Sequence, residues 1–196
     1  MRKEKPGDIR FKDLNSDDVL DEQDRTKIGD PWPDFVYGLS LGATWKGFDF
    51  NVFFQGSQGN DVLNMTLRDF ESGTGTMNAR EGFLNRAWNG EGSTDKYHRI
   101  SAEQGQNSEI SDYFVEDGSY LRLKNLQLGY NFCERLLKIK GISYLRLYVS
   151  AQNLFTLTKY SGLDPEIGSS NATLNGIDQG FYPQARTWTV GLNIKF

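Results

Sequence analysis

Residues 186–196, at the end of the chain, read Arg-Thr-Trp-Thr-Val-Gly-Leu-Asn-Ile-Lys-Phe. From Trp188 to Phe196 every second residue is large and apolar, and the residues between them are small or polar. Because successive side chains of a strand point to opposite faces, this alternation predicts a strand with one apolar and one polar face. About 9–11 tilted residues of this kind are enough to cross a bilayer as one strand of a barrel. The stretch therefore favours an all-β protein that meets lipid on one side.

A second pair of alternating segments flanks the dipeptide Lys46-Gly47. Residues 37–45 and 48–55 both alternate, and a two-residue loop that ends in Gly is typical of a tight β-hairpin. In such a hairpin the residues on either side of the turn pair and share a face. The pairs expected on the apolar face are Leu41 with Val52, Ala43 with Phe50 and Trp45 with Phe48. Since the apolar residues of both segments fall on one side, the sequence predicts both the hairpin and its register.

Two further segments complete a predicted set of five antiparallel strands. Residues 120–132 form the third strand and residues 145–152 the fourth, ahead of the terminal strand. The third strand contains a phase conflict, because Leu121 and Leu123 alternate out of step with Leu126. A β-bulge, or a strand that projects beyond the membrane, would account for this conflict.

The connections between the predicted strands alternate between short and long. Lys46-Gly47 is very short, whereas two other segments of the chain are long. Outer-membrane barrels have short periplasmic turns and long extracellular loops, so the long segments are expected outside the cell. The predicted division is an extracellular loop at residues 1–34 and barrel strands within residues 35–196, with long extracellular loops at about 56–119 and 156–185.

Composition narrows the class of protein. Aromatic residues make up 13% of the chain and there are 21 glycines, a balance that suits strands and turns better than helices. Short helices are predicted only at residues 61–70 and 79–88. No run approaches the roughly 18 apolar residues of a membrane helix. The net charge of -4 argues against a nucleic-acid-binding surface, which needs a clustered basic face.

Residues that commonly carry catalysis are scarce. The single cysteine, Cys133, cannot form an intrachain disulfide and is expected to be a small structural residue. The single histidine, His98, is the one base available to a Ser-His-Asp or Cys-His arrangement, and it falls in a predicted loop where a surface position is expected. Nothing singles out a carboxylate pair such as Asp164 with Glu166 among 26 acidic residues. The sequence therefore predicts no enzymatic activity.

Residues 13–24 have the spacing of a Ca²⁺-binding loop. Such a loop places oxygen ligands at positions 1, 3, 5, 9 and 12, with a backbone carbonyl at position 7. Here the ligands would be Asp13, Asn15, Asp17, Asp21, Asp24 and the carbonyl of Val19. Asp18 stands where Gly usually makes the turn, and it would need a left-handed backbone, which Asp tolerates better than most residues. A structural Ca²⁺ would rigidify an extracellular loop; the alternative is an acidic, solvated turn.

Motifs along almost the whole chain resemble one known family. The terminal strand ends on an aromatic carboxylate, Phe196, which is similar to the C-terminal signature of bacterial outer-membrane β-barrels. The other matching motifs include Lys5-Pro6-Gly7-Asp8-Ile9, Ile28-Gly29-Asp30-Pro31, Lys46-Gly47-Phe48-Asp49, Tyr120-Leu121-Arg122-Leu123-Lys124-Asn125, Ser150-Ala151-Gln152-Asn153-Leu154-Phe155-Thr156 and Tyr160-Ser161-Gly162-Leu163-Asp164-Pro165-Glu166. In this order they resemble the SusC/RagA family of TonB-dependent outer-membrane transporters of Bacteroidetes.

The resemblance implies both a fold and a function. It corresponds to the C-terminal part of a barrel of about 22 strands with a plugged lumen, so the plug and the segment that contacts TonB would precede Met1. The first residues lack the apolar segment of a secretory signal, which also leads us to expect a fragment of a longer protein. Phe196 would act as a membrane-assembly signal. Residues expected to face the lumen are Thr44, Asn51, Gln127, Arg146, Ser150, Gln152 and Asn193.

The same resemblance implies a set of partners. It implies uptake of oligosaccharide or peptide fragments, energised by TonB through the missing N-terminal part and assisted by a SusD-like surface lipoprotein. Outer-membrane lipid would surround the barrel strands. The rival interpretation is a soluble, secreted β-sandwich that binds carbohydrate and carries a calcium-stabilised loop, because a buried sheet face has the same periodicity as a lipid-facing one. The long segments offer few strands for a second sheet, and a sandwich gives no reason for a terminal Phe196.

Overall fold

The computed structural model describes residues 5–71, 78–100, 106–132, 141–168 and 171–196, so Cys133 and its predicted role lie outside the described residues. The chain divides into two compact units. We call them the strand unit, which comprises Trp32–Asn60, Asp117–Glu166 and Tyr182–Phe196, and the loop unit, which comprises Met1–Pro31, Asp61–Glu116 and Ile167–Phe181. Each unit is held together by contacts between segments that are distant in sequence.

The strand unit is an antiparallel sheet of five long strands with one short addition. The long strands are β1 (Phe35–Trp45), β2 (Phe48–Gln58), β5 (Tyr120–Phe132), β6 (Tyr144–Gln152) and β9 (Thr187–Lys195). They lie in the order β1-β2-β5-β6-β9, and the short β7 (Thr156–Thr158) pairs with the start of β5. All five predicted strands are confirmed, with bounds that differ from the expected ones by at most a few residues.

The hairpin of β1 and β2 has the register that its sequence predicts. Trp45 pairs with Phe48, and the expected pairs further from the turn are also formed. Lys46 and Gly47 connect the strands with φ angles of 46° and 91°. Two consecutive positive φ angles are the mark of the tight turn whose twist matches that of the strands, and Gly at the second position adopts it without strain.

A β-bulge resolves the phase conflict in β5. Phe53 pairs with Asn125 whereas the next residue of β2, Phe54, pairs with Leu123, so Lys124 is left without a partner in β2. The extra residue shifts the alternation by one position. Leu121 and Leu123 therefore lie on the same face as Leu126, and the sequence-based expectation of a bulge is confirmed.

One face of the long sheet is apolar and exposed. The row Ala43, Phe50, Leu128, Val149 and Val190 runs across all five strands, because each residue pairs with the next. Exposure of this face reaches 73% at Val190 and 65% at Trp188. Soluble monomers rarely expose a contiguous apolar surface of more than a few hundred Å², so this face needs an apolar environment. In the described part of the chain, no helix has the length and apolar character needed to span a membrane.

A second, much smaller sheet is built mostly from the loop unit. It has the order β4-β3-β8, from β3 (Asp61–Asn64), β4 (Val115–Asp117) and β8 (Ile177–Asp178). The helices are α1 (Met65–Glu71) and α2 (Phe83–Arg86), with 3-10 turns at Glu22–Asp24, Gln106–Ser108, Asp112–Phe114 and Ala172–Leu174. The core of the loop unit contains Val62, Phe83 and Phe114, each at most 1% exposed.

The two predicted helices are only partly correct. The helix expected at residues 61–70 begins at Met65, because residues 61–64 extend as β3, in which Leu63 and Asn64 pair with β8. The helix expected at residues 79–88 is reduced to the four residues of α2. It begins after Gly82, whose φ of 72° cannot continue a right-handed helix.

Candidate functional site

The polar face of the long sheet collects the residues expected to line a lumen. Asn51 pairs with Gln127, Gln127 with Ser150, and Ser150 with Thr189, so these polar side chains form a row across four strands. Thr44, Arg146, Gln152 and Asn193 occupy the same face by their register in β1, β6 and β9. The sheet thus separates an apolar face from a polar one along its full width.

An ion pair spans three strands of this polar face. The Arg146 guanidinium on β6 donates from Nε to Asp49 Oδ2 on β2 at 2.9 Å, and a second bond joins Nη2 to Oδ1. Gly129 of β5 lies between them, since Asp49 pairs with Gly129. A Cβ at Gly129 would stand 2.7 Å from Arg146 Nη2 and would also collide with the Asp49 carboxylate. Glycine is therefore required for this bridge to pass over β5.

Further contacts fix both partners of the bridge. Asn131 Nδ2 donates to Asp49 Oδ2 at 3.1 Å, and the Tyr144 hydroxyl donates to Asn131 Oδ1 at 2.7 Å. The Arg146 guanidinium also lies 4.9 Å from the ring centroid of Tyr148, a cation–π distance. The side chains of Arg146 and Asp49 are only 15% and 12% exposed. This arrangement is a satisfied polar network on the sheet rather than an isolated surface ion pair.

A second network of ion pairs and hydrogen bonds anchors the loop that contains Asp164 and Glu166 to the start of β5. Arg122 is 2% exposed and donates from Nη1 to Glu166 at 2.7 Å, from Nε to Thr156 at 2.8 Å and from Nη2 to Asp164. Lys124 Nζ reaches both carboxylate oxygens of Glu166 at 2.7 and 2.8 Å. Two cations therefore meet two carboxylates, and the buried guanidinium is bonded at all three nitrogens.

Backbone amides complete this second network around Asp164. Gln184 N donates to Asp164 Oδ2 and Glu166 N to Asp164 Oδ1, both at 2.9 Å. Burial alone would raise the pKa of Asp164, but these amides and the Arg122 guanidinium hold it below its usual value. In the sequence Asp164 and Glu166 are an ordinary carboxylate pair, because no local pattern connects them to cationic partners 42 to 44 residues away.

In the loop unit, Asp8 fixes the first described segment. Asp8 accepts from Arg99 Nε at 2.6 Å and from Asn107 Nδ2 at 2.9 Å, while Asn107 Oδ1 accepts from the amide of Ile9 at 2.7 Å. Burial acts to raise the pKa of Asp8, and its hydrogen bonds, led by that from Arg99, bring the pKa below its usual value. Asp8 therefore has a structural role, because it anchors this segment to Arg99 and Asn107.

His98 is buried, so the expected surface position is wrong. The side chain is 5% exposed, and its ring centroid lies 5.4 Å from that of Phe83 and 5.5 Å from that of Tyr113. His98 Nδ1 is 2.8 Å from the carbonyl of Arg99, which fixes Nδ1 as the protonated nitrogen. Nε2 has no hydrogen-bond partner among the described residues. Burial lowers the pKa of His98.

A buried carboxyl lies in the same part of the loop unit. Glu71 is 2% exposed and accepts from the Tyr113 hydroxyl at 3.2 Å. Burial raises the pKa of Glu71 and also that of the Tyr113 hydroxyl. No hydrogen bond joins His98 to a carboxylate or to a nucleophilic side chain within the described ranges, so these residues do not form a catalytic arrangement.

The acidic loop folds its carboxylates onto its own backbone. Asp13 accepts from the amides of Ser16 and Asp18 at 2.6 and 2.8 Å, and Asp24 accepts from those of Leu14 and Asp21 at 2.7 and 3.0 Å. The bonds from Leu14 and Asp21 lower the pKa of Asp24. Asp18 has a φ of 61°, the left-handed conformation that its position was expected to need.

The predicted calcium ligands are near one another in the chain but not assembled. Asp17 accepts from the amide of Val19 and Asp21 from that of Gln23, while Asn15 donates to Asp17. Among the described residues, no group of three or more His, Cys, Asp or Glu side chains is arranged to hold a metal ion. Calcium binding remains a prediction.

Phe196 follows β9 with 92% of its surface exposed, and its predicted assembly role also remains untested.

Comparison with known proteins identifies relatives of this arrangement. No protein-family model matches the chain. TonB-dependent receptor P3 of Formosa agariphila is 42% identical over 97% of this chain, which covers 19% of that protein. TonB-dependent receptor SusC of Bacteroides thetaiotaomicron is 34% identical over 98% of this chain, which covers 18% of that protein. In both alignments almost every residue of this chain is matched.

The solved structures of RagAB give the same result for the fold. The RagAB peptide importer in its closed-closed state matches 97% of this chain with a TM-score of 0.74 and 29% identity. The RagAB peptide transporter matches 85% with a TM-score of 0.71 and 30% identity. This chain belongs to the SusC/RagA family of TonB-dependent receptors.

Membership of the SusC/RagA family confirms several expectations. The fold is the antiparallel strand set of a large outer-membrane barrel, which the five strands do not close by themselves. The relatives are TonB-dependent receptors and not enzymes, and their family resides in the outer membrane. The chain spans about a fifth of the length of the relatives it matches, with 19% coverage of one and 18% of another.

Proposed function

We propose that this chain forms barrel wall and extracellular loops of a TonB-dependent importer of the outer membrane. The observation that carries the proposal is the long sheet, whose exposed apolar face and in-register polar face suit a wall between lipid and an aqueous lumen. The row through Val190 would contact lipid, and the row through Asn51 would face the lumen. The loop unit would form the extracellular surface.

The family relationship also supports a proposal for the substrates and partners of the whole transporter. One solved relative is named a peptide importer, and the sequence resemblance implies oligosaccharide or peptide fragments as cargo. Energy would come from TonB, which would act on a part of the transporter that this chain does not contain. A SusD-like lipoprotein would cover the extracellular mouth. The soluble β-sandwich is not favoured, because strands of 4, 3 and 2 residues are too short to cover strands of 9 to 13 residues.

Paired substitutions on β9 test the membrane assignment. Val190 lies on the apolar face and Thr189, its neighbour, on the polar face. In the transporter that carries these residues, Val190→Arg is expected to reduce heat-modifiable protein in the outer-membrane fraction, since a charge near the bilayer midplane costs about 2–4 kcal/mol. Thr189→Arg is the matched control and should assemble normally.

Transport itself needs a separate test. Cells that produce the wild-type transporter are expected to take up its substrate only when TonB is present. Equal effects of the two β9 substitutions, or a soluble wild-type protein, would contradict the proposed location. Uptake that persists without TonB would contradict the proposed energy source while leaving the location intact.

We further propose that residues 13–24 bind a structural Ca²⁺. The support is the ligand spacing, together with the left-handed backbone of Asp18 at the turn position. Since the described carboxylates bind loop amides, the ion would have to draw them together from their present positions.

We also propose that Phe196 contributes to recognition during barrel assembly. Phe196→Ser would then reduce heat-modifiable protein in the outer-membrane fraction, as expected for Val190→Arg.

A further inference from the structure

A cleft of about 270 Å³ opens on the loop unit beside α2. Its lining comes from one continuous stretch of chain, residues 85–97. Ligand pockets for drug-sized molecules generally have volumes of about 300–1,000 Å³, so this cleft suits a single ring-sized group. The polar side chains that line it are Asn85, Arg86, Asn89, Ser93 and Thr94, and the apolar surface comes from Ala87 and the ring of Tyr97.

The walls of the cleft are fixed by hydrogen bonds within this stretch. Trp88 N donates to the carbonyl of His98 at 3.2 Å, which joins the two ends of the loop between them. Ser93 Oγ accepts from Asn89 N at 3.1 Å and donates to the carbonyl of Gly90 at 2.7 Å, which holds the turn. Ala87, 5% exposed, anchors the floor in the core. The cleft is therefore formed before any ligand arrives, which lowers the entropic cost of binding.

Arg86 is held in the cleft by one edge of its guanidinium. Nε donates to the carbonyl of Gly82 at 3.2 Å and Nη2 to that of Glu81 at 3.3 Å. The guanidinium carbon lies 5.2 Å from the ring centroid of Tyr97, a cation–π distance. The opposite edge, formed by Nη1 and the second hydrogen of Nη2, donates to no described residue. The charge of Arg86 acts on the buried Glu71 carboxyl through space, without a hydrogen bond between the two side chains among the described residues.

The free edge of Arg86 and its neighbours define the chemistry of a ligand. Two parallel N–H groups of a guanidinium match the two oxygens of a carboxylate. The amide side chains of Asn85 and Asn89 form no hydrogen bond to a described residue, and each offers donors and an acceptor. Thr94 Oγ1 accepts from Lys96 N, so its hydroxyl hydrogen is available to donate. The Lys96 ammonium lies 5.6 Å from the centroid of the same Tyr97 ring and adds a second positive charge beside the cleft. A guanidinium among amides and a hydroxyl suits a ring that carries a carboxylate and several hydroxyls.

We propose that this cleft binds one acidic sugar unit, with the carboxylate on the free edge of Arg86 and hydroxyls on Asn85, Asn89 and Thr94. The assignment rests on the proposed importer function, for which it names a substrate class. A peptide C-terminus offers the same carboxylate. The side chain of its last residue, however, would contact little apolar surface in the cleft beyond Ala87 and Tyr97. The sugar is therefore the favoured source of the carboxylate.

Titration of the intact, detergent-solubilised transporter tests the assignment with three probes. They are a dimer of galacturonic acid, a neutral disaccharide and an acidic tripeptide with a free C-terminus. The wild type is expected to bind the galacturonate dimer most tightly. Arg86→Ala is expected to weaken that binding about 10- to 100-fold, since a charge-assisted bidentate contact is lost. Arg86→Lys should restore it only in part, because an ammonium lacks the planar fork.

Two further variants separate binding from folding. Arg25→Ala removes another exposed arginine of the loop unit, 78% exposed, and is expected to leave the affinity unchanged. Asn85→Ala removes a side chain that lines the cleft and forms no hydrogen bond to another described residue. Since no such bond is lost, the substitution should weaken galacturonate binding several-fold without unfolding the loop. Equal affinity for the acidic and neutral sugars, tighter binding of the tripeptide, or unchanged affinity in Arg86→Ala would overturn the assignment.

Uptake measurements distinguish this inference from the function on which it rests. If the wild type shows no TonB-dependent uptake of any substrate, the proposed importer function fails. If uptake depends on TonB but Arg86→Ala binds galacturonate as the wild type does, only the cleft assignment fails. The expected result is TonB-dependent uptake together with weaker galacturonate binding by Arg86→Ala.

Discussion

Asp49 on β2 and Arg146 on β6 form an ion pair across β5, passing over Gly129, with Arg146 Nε 2.9 Å from Asp49 Oδ2. The two partners belong to strands that do not pair with each other, so the bridge ties three strands together by side chains as well as by backbone hydrogen bonds. The glycine between them is as important to the bridge as either charge.

Gly129→Ala is expected to destabilise the sheet by about 1–3 kcal/mol, because the added methyl displaces Asp49 and Arg146 from each other. The measurement is the urea concentration at which the purified transporter loses its heat-modifiable migration. Gly168→Ala is the control, since a Cβ there meets nothing within 4 Å. A midpoint for Gly129→Ala equal to that of Gly168→Ala would show that the bridge is not needed for stability.

Arg122→Ala is expected to cost about 3–5 kcal/mol, since it leaves the Asp164 carboxylate buried without its cation. The loop that contains Asp164 should then detach from the start of β5. Limited proteolysis should show faster cleavage within residues 160–166 than in the wild type. Arg122→Met with Asp164→Leu removes both charges and should recover part of the protection. Equal cleavage rates in all three proteins would exclude a fastening role for Arg122.

His98 should make the loop unit sensitive to mild acid. Its folded-state pKa is lowered by burial, so between that pKa and the unfolded value of about 6.5 the unfolded chain binds more protons. The free energy of unfolding that neutral His98 contributes is therefore fully present above about pH 6.5. It decreases as the pH falls from that value towards the folded-state pKa. Hydrogen exchange of residues 83–100 should accelerate, after correction for intrinsic rates, between pH 7.5 and pH 5.5.

His98→Phe provides the comparison for this pH dependence. The substitution keeps a ring between Phe83 and Tyr113 and removes the titrating group. Glu71, whose pKa is raised, gains stability on acidification, but it is present in both proteins and cancels in their difference. The wild type should lose more protection than His98→Phe on acidification. An identical loss in both proteins would assign the sensitivity to other groups.

Calcium binding by residues 13–24 should appear as heat in a calorimetric titration of the chelator-treated transporter. The double variant Asp13→Ala with Asp17→Ala removes two of the six predicted ligands and is expected to abolish that heat. Glu22→Ala removes an acidic residue of the same loop that is not a predicted ligand, with 86% of its side chain exposed, and should leave the heat unchanged. Heat that persists in the double variant would exclude this loop as the site.

Local patterns made the long strands predictable. The hairpin register follows from Lys46-Gly47, because a two-residue turn fixes which residues pair. The bulge in β5 was also visible, since Leu121 and Leu123 could join the face of Leu126 only through a shift of one residue. In each case the determining residues lie within a few positions of one another.

Contacts between distant segments were not predictable in this way. His98 is buried by Phe83 and Tyr113, 15 residues before it and 15 after it, and no periodic pattern joins the three. Arg122 looks like an ordinary polar residue of an alternating strand until Asp164 is brought to it from 42 residues away. The cleft beside α2 depends on a turn held by Ser93, which the sequence did not distinguish from other polar loop residues.

The bulge at Lys124 bears on how this strand can change between related genes. Loss of a single residue elsewhere in the 13 residues of β5 would turn every side chain on one side of the gap to the opposite face. At the bulge, loss of either Lys124 or Asn125 would leave Leu123 and Arg122 on their present faces, because two residues there oppose one. We therefore expect length variation in β5 among descendants of a common ancestor to be concentrated at this one position.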